Sequence, residues 1–283
     1  MKQLATLFFL ILVVQGAAQT NTEIYLFDLM KTEDDTYELT GPLNISKNEG
    51  YDNQPSFWPD GGSILYARTV NGQTEIARYF VASGKTKIIT NTLQGSEYSP
   101  TPTPDGAISS IRLDTTGLQL LYQYDLEGNA KVLIEDEVIG YHTWLNENQL
   151  AAFVLGEPST LKIFDLKKGK SEKVAENLGR SLHKIPRMKE MTFVDKSGDN
   201  WIIKMLDPKK GTTRELVRTI EGSEDFCWTP NGEMLMGQNE KLWMWNRYKG
   251  WTEIADISRF GLQGITRLAI SPEGNMLAIV VNK

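Results

Sequence analysis

A turn made of proline, an acidic or amide residue and glycine returns along the chain, at Pro59-Asp60-Gly61, Pro104-Asp105-Gly106, Pro230-Asn231-Gly232 and Pro272-Glu273-Gly274. The intervals are 45, 126 and 42 residues, and 126 is three periods of 42. Two degenerate copies, Leu145-Asn146-Glu147 and Pro186-Arg187-Met188, fall close to the missing positions, so the period implies six units. Each full copy carries the chemistry of a tight reversal, because proline presets φ while Asp, Asn or Gly tolerates the turn. A β-like run follows each one, as in Ser63-Ile64-Leu65-Tyr66-Ala67 and Asn275-Met276-Leu277-Ala278-Ile279-Val280.

A second series interleaves with the first, namely apolar strands that end on an Asp or Asn turn. It reads Tyr25-Leu26-Phe27-Asp28, Tyr122-Gln123-Tyr124-Asp125, Ile163-Phe164-Asp165, Met205-Leu206-Asp207 and Trp243-Met244-Trp245-Asn246, with a variant at Ala77-Arg78-Tyr79-Phe80. Together the two series give each repeat about four short strands, the content of a propeller blade. Amphipathic helical periodicity is absent. The ends divide one repeat between them, with third and fourth strands at Glu23 to Leu29 and Tyr37 to Leu43 and first and second at Ile265 to Ser271 and Asn275 to Val281. The expected fold is therefore all-β, a six-bladed β-propeller whose last blade is closed by strands from both termini, which hides the sheet edges. The blades are expected at about 44–90, 91–135, 136–177, 178–219, 220–258, and 259–283 joined with 22–43.

Residues 1–19 have the layout of a secretory signal peptide: Lys2, an apolar run from Leu4 to Val14, then Gly16, Ala17 and Ala18. The run is too short to cross a bilayer, which needs roughly 20 apolar residues, so no membrane insertion is expected. The expected location is periplasmic or secreted. A single cysteine, Cys227, rules out an intramolecular disulfide. A net charge of -6 disfavours nucleic acid as a partner, since phosphate surfaces select basic patches.

The segments Asn53-Gln54-Pro55-Ser56-Phe57-Trp58-Pro59-Asp60-Gly61, Ser99-Pro100-Thr101-Pro102-Thr103-Pro104-Asp105-Gly106 and Ile270-Ser271-Pro272-Glu273-Gly274 resemble the TolB-like propeller family, with its WD-like repeat of the Pro-Asp type. The resemblance covers essentially the whole chain after residue 19, although blades three and four depart from the motif. TolB itself carries an N-terminal α/β domain, and the sequence before Glu23 leaves no room for one. The resemblance implies a periplasmic or secreted protein-binding propeller, expected as a monomer. The same propeller also occurs beside peptidase domains, but no Gly-x-Ser-x-Gly elbow is found here.

Segments entering each first strand cluster at one mouth of a propeller channel, which makes them the place for a ligand site. The candidates are Asp52, Asn53, Glu97, Tyr98, Tyr141, His142, Arg180, His183, Asp225 and Arg267. Superposing the repeats puts Ser56, Thr101, His142, His183, Cys227 and Ala269 at one equivalent position, so both histidines of the protein share it. Such a pair could bind a ligand, move protons or coordinate a metal, or simply hydrogen bond within blade packing. Arg180 and Arg267 could each grip a carboxylate in bidentate fashion, or form inter-blade ion pairs.

The leading reading is a module that binds a protein or peptide, or a small polar ligand, through the channel mouth, with no catalytic residues and no cofactor. The alternative is a metal-dependent hydrolase or lactonase holding a divalent ion with Asp52, Asn53, Glu97, His142, His183 and Asp225. A sugar-binding role ranks third. Trp243, Trp245 and Trp251 are expected in the core, and Lys167-Lys168-Gly169-Lys170 and Lys209-Lys210-Gly211 at solvated hairpin tips.

Overall fold

The computed structural model describes residues 21–283, and the expected signal segment lies outside them. Six four-stranded antiparallel sheets follow one another around a central channel as the blades of a propeller. Blades 1 to 5 span 52–88, 96–134, 139–176, 178–218 and 226–256. Blade 6 joins 263–282 to 22–44: Thr22–Lys31 pairs with Met276–Asn282, placing Ile24 opposite Val280 and Leu26 opposite Ala278. The two terminal segments thus close the ring with backbone hydrogen bonds. Between blades 5 and 6, a single 3-10 turn at Ile257–Phe260 is capped by the Asp256 side chain.

There is no single central core. Six apolar clusters fill the six gaps between neighbouring blades, including the gap between blades 6 and 1. The period-2 geometry of a strand explains the division, because successive side chains leave opposite faces of the sheet. Along Ser63–Val70, Ile64 and Tyr66 enter the cluster shared with blade 6 while Leu65 enters the one shared with blade 2. Along Met276–Asn282, Leu277 and Ile279 face blade 5, and Ala278 and Val280 face blade 1. Such strands need apolar residues on both faces, which is why they read as continuous hydrophobic runs.

The same rule decides the tryptophans. Trp245 is buried towards blade 4, Trp243 and Trp251 are half-buried, and Leu242 and Met244 on the opposite face are buried towards blade 6. Outermost strands are the solvated edges. Lys85–Ile88 is exposed throughout, and the Lys167–Lys170 and Lys209–Lys210 turns project into solvent. Charge on these edges discourages strand addition from another molecule.

The Pro-Asp-Gly turns close the innermost hairpins at the end of the channel away from the mouth. In blades 1, 2, 5 and 6 the glycine takes φ between 71° and 91° and its N–H donates to the carbonyl three residues earlier. That left-handed position is what glycine supplies at no steric cost.

Closure through blade 6 makes the carboxy-terminal strand essential to packing. Replacing the fully buried Ile279 with alanine should lower stability by about 2–5 kcal/mol in urea unfolding, from lost transfer energy and the cavity left behind. Leu93→Ala, at a residue 93% exposed, should leave the midpoint within about 0.5 kcal/mol of the parent.

Candidate functional site

At the mouth, all six innermost strands contribute to a cavity of about 230 Å³. Tyr141, His142, Arg180, His183, Asp225 and Arg267 line it together, although they come from four different blades. The other four sequence candidates sit elsewhere. Asp52, Asn53 and Glu97 are buried between blades, and Tyr98 is half-buried beside the rim with its ring edge-on to Tyr51 at 6.1 Å.

Backbone irregularity accounts for the separation. In blade 1, the four residues Asn53 to Ser56 oppose the three from Ala67 to Leu65; in blade 2, the four from Tyr98 to Thr101 oppose the three from Ile111 to Ser109. Each is a one-residue β-bulge, with Gln54 (φ 58°) and Ser99 (φ 52°) in the left-handed region and Pro55 and Pro100 following. Proline suits a bulge because it has no N–H to lose from the ladder. A bulge re-aims side chains, so residues before it turn into the blade interface and residues after it towards the channel. Register shifts at the mouth end also interrupt the innermost strands of blades 3, 4 and 6.

One carboxylate organises the charged wall. Asp225 accepts from Arg180 Nε at 3.2 and 3.1 Å and from Arg180 Nη2, and its Oδ1 also accepts from Arg267 Nη1 at 3.0 Å. Arg267 Nη2 donates to the Tyr141 hydroxyl at 3.3 Å, and the guanidinium lies 5.3 Å from that ring's centroid. Beside them, Glu224 accepts from the Arg180 backbone N–H at 3.0 Å and pairs with Lys196 at 3.2 Å. This approach requires Gly179, since a Cβ there would collide with the Glu224 carboxylate. Three cations against two carboxylates leave one unit of positive charge. Burial is the largest influence on the Arg180 guanidinium and would lower it, but the hydrogen bonds and charge of Asp225, together with the Glu224 charge, outweigh it in sum and raise the pKa. Burial pushes the Tyr51 phenol up to about 12, against the opposing pull of the Arg267 and Arg180 charges.

The histidines are neutral packing groups of this wall. Burial pushes both down to about 4. His142 Nε2 lies 2.7 Å from Ser109 Oγ, which also accepts from Trp144 Nε1 at 2.9 Å and donates to the Thr101 carbonyl at 3.2 Å. With the serine proton directed to Thr101, Nε2 carries the imidazole hydrogen and the buried Nδ1 lone pair has no protein donor. His183 Nε2 lies 3.0 Å from Ser181 Oγ, and its ring packs 4.8 Å from that of Phe226. Cys227, at the equivalent repeat position, is buried with its thiol pushed up to about 12, far from thiolate reactivity.

Sequence reasoning missed Ser109, Ser181 and Phe226, which fix the histidines, and Glu75, which faces Glu97. Ser109 belongs to a second strand and reaches the site only through blade-to-blade packing, so no repeat position signals it. Glu75 is buried and accepts from the Thr92 N–H at 3.1 Å. Glu97 Oε1 accepts from Thr92 Oγ1 at 2.6 Å and Tyr124 OH at 3.0 Å. Burial pushes Glu97 up to about 7 and Asp52 up to about 6, with the neighbouring Glu75 carboxylate adding to the effect at Glu97. Among the described residues no three His, Cys, Asp or Glu side chains are grouped as a metal site requires.

An acid whose pKa is higher in the folded than in the unfolded chain stabilises the fold below its unfolded value. That contribution is lost as pH rises to the folded value. For Glu97 the window runs from the ordinary 4.5 to about 7. Glu97→Gln keeps the Oε1 acceptor and offers an N–H towards Glu75, so the variant should be more stable than the parent at pH 8 by on the order of 1–3 kcal/mol. The difference between the two proteins should shrink on acidification to pH 5, as read from paired urea titrations. The histidines, with lowered values, act in the opposite direction in both proteins and cancel in the comparison.

No family model and no curated protein matches this sequence. Solved structures do match its fold. A protein assigned as TolB from Agrobacterium tumefaciens superposes with a TM-score of 0.72 at 12% identity, covering 94% of this chain and 99% of that one. TolB from Acinetobacter baumannii gives 0.59 at 15% identity over 93% of this chain, which spans 64% of the longer protein. A gluconolactonase from Xanthomonas campestris gives 0.65 at 8% identity, covering 94% and 98%. The shared feature is architectural: the chain has the fold of a TolB-like six-bladed β-propeller.

Proposed function

We propose that this protein is an exported binding module whose channel mouth takes a carboxylate-bearing segment of a protein or peptide. The observation that carries the reading is the wall in which Arg180 and Arg267 share the single carboxylate of Asp225. A guanidinium has five donors in a planar fork and matches a second carboxylate well. Tyr141 and Tyr51 add aromatic surface beside the cations, the pairing enriched where proteins recognise peptides. A cavity of about 230 Å³ suits one side chain or a chain end, since a helix is roughly 10–12 Å across. Described residues include no helix long and apolar enough to cross a membrane.

The alternative drawn from sequence, a metal-dependent hydrolase or lactonase, relies on Asp52, Asn53, Glu97, His142, His183 and Asp225. Blade packing divides this set: Asp52, Asn53 and Glu97 are enclosed between blades, while the two histidines and Asp225 line the mouth cavity. The donor set therefore does not fit a bound ion, and binding is the reading these side chains favour.

Peptides ending in a free carboxylate or bearing Asp and Glu should bind by calorimetry, and their amidated Asn and Gln counterparts should bind about tenfold more weakly or worse. The double variant Arg180→Gln/Arg267→Gln should lose that discrimination while its urea midpoint reports an intact fold. Equal binding of both peptide sets to parent and variant would sink the proposal.

A further inference from the structure

The face opposite the mouth holds a larger groove, about 840 Å³, formed by blades 4 and 5 with a flank from blade 6. Its floor is apolar: Trp228 and Trp245 are each 8% exposed, and Met205 and Ile185 of blade 4 pack in the same cluster. Met188 and Tyr248 stand at the rim, 42% and 82% exposed.

Charge at this groove runs against that of the protein. Five cations line it, Lys31, Arg187, Arg214, Arg247 and Lys249, against two acids, on a chain of net charge -6. Both acids are already engaged by one lysine: Lys31 pairs with Glu233 at 3.1 Å and Asp35 at 3.2 Å. Glu233 also accepts from Tyr37 OH at 3.4 Å and from Thr229. Among the described residues, none of the remaining four cations forms an ion pair. Arg187, Arg214, Arg247 and Lys249 are all exposed.

The degenerate turn of blade 4 supplies part of this surface. Where other blades place Asp60-Gly61, Asp105-Gly106, Asn231-Gly232 or Glu273-Gly274, blade 4 places Arg187-Met188. The turn hydrogen bond is kept, with Met188 N–H donating to Ile185 O at 3.2 Å. The left-handed residue stands one place earlier than in those turns, at Arg187 (φ 62°). An acid or amide is thus exchanged for a cation, and a glycine for an exposed thioether, at the edge of an aromatic floor.

We infer that this groove docks an acidic peptide segment of a partner protein through one aromatic or aliphatic anchor. The anchor seats on Trp228 and Trp245, and flanking carboxylates meet Arg187, Arg214, Arg247 and Lys249. Charge complementarity selects the acidic partner, because four cations without carboxylates face solvent around an apolar floor. A polyphosphate chain suits the groove less well, since it brings no apolar anchor and is repelled by the protein's overall charge.

The probe is a fluorescein-labelled peptide of glutamates flanking one phenylalanine, titrated by anisotropy against the protein carrying Arg180→Gln/Arg267→Gln, which separates this groove from the mouth. Saturable binding is expected there, weakened about tenfold or more by adding Arg187→Glu and Arg214→Glu, and weakened likewise when the peptide's phenylalanine becomes serine. Lys249→Glu provides an independent variant, and all these side chains are exposed, so urea midpoints should not move. Three results would each overturn the inference: no binding in the mouth variant, binding indifferent to the groove charges, or a single-stranded oligonucleotide that displaces the peptide.

Discussion

Pairing of Thr22–Lys31 with Met276–Asn282 is the contact on which the rest of the molecule depends. Each blade buries apolar side chains on both faces, so each is stable only between two neighbours. In a linear array the first and last blades would each present an apolar face to water. Building blade 6 from both ends of the chain removes that exposure, because Ala278 and Val280 reach blade 1 while Leu277 and Ile279 reach blade 5. Ring closure and core formation are therefore one event. At roughly 1.5–3 kcal/mol for each large aliphatic side chain buried, the two gaps flanking blade 6 contribute as heavily as any.

A ring of wedges leaves its centre open, and the innermost strands are freed from packing on that side. Their mouth ends can then carry bulges without disrupting a core. Those bulges turn Ser56 and Thr101 towards the channel and Asn53 and Glu97 away from it. The charged wall follows from the same freedom: Arg180, Asp225 and Arg267 come from blades 4, 5 and 6 and meet only because three adjacent strands converge at the axis.

Burial sets the protonation of the groups around this axis. Two imidazoles are held neutral near the mouth, and two carboxyls between blades are held towards their protonated forms. In each of the four the low-dielectric interior is the largest cause, with the Glu75 carboxylate adding to it at Glu97. Asp225, by contrast, bridges two guanidiniums at a half-open site. That contrast separates the polar groups enclosed between blades from the charged groups that line the channel mouth.

Sequence alone determined the architecture. A 42-residue period, a repeated turn whose chemistry permits little else, and a repeat divided between the two ends leave one solution that buries every strand. These features are local, so they can be read residue by residue; the burial of Trp245 and the lysine hairpin tips followed from them, whereas Trp243 and Trp251, also expected in the core, are only half-buried. The site was legible in part: six of ten candidate residues line the mouth, because entry segments of a propeller must gather there. Which side chains face the axis was not legible. A one-residue bulge reverses the facing of a strand, and Gln54-Pro55 and Ser99-Pro100 give no unambiguous sign of where the extra residue lies. The Asp225 bridge, the facing of Glu75 and Glu97, and the basic groove between blades 4 and 5 arise from residues about one repeat apart, as at Asp225, or on neighbouring blades. Only the closed ring brings such residues into contact, so tertiary structure decided them.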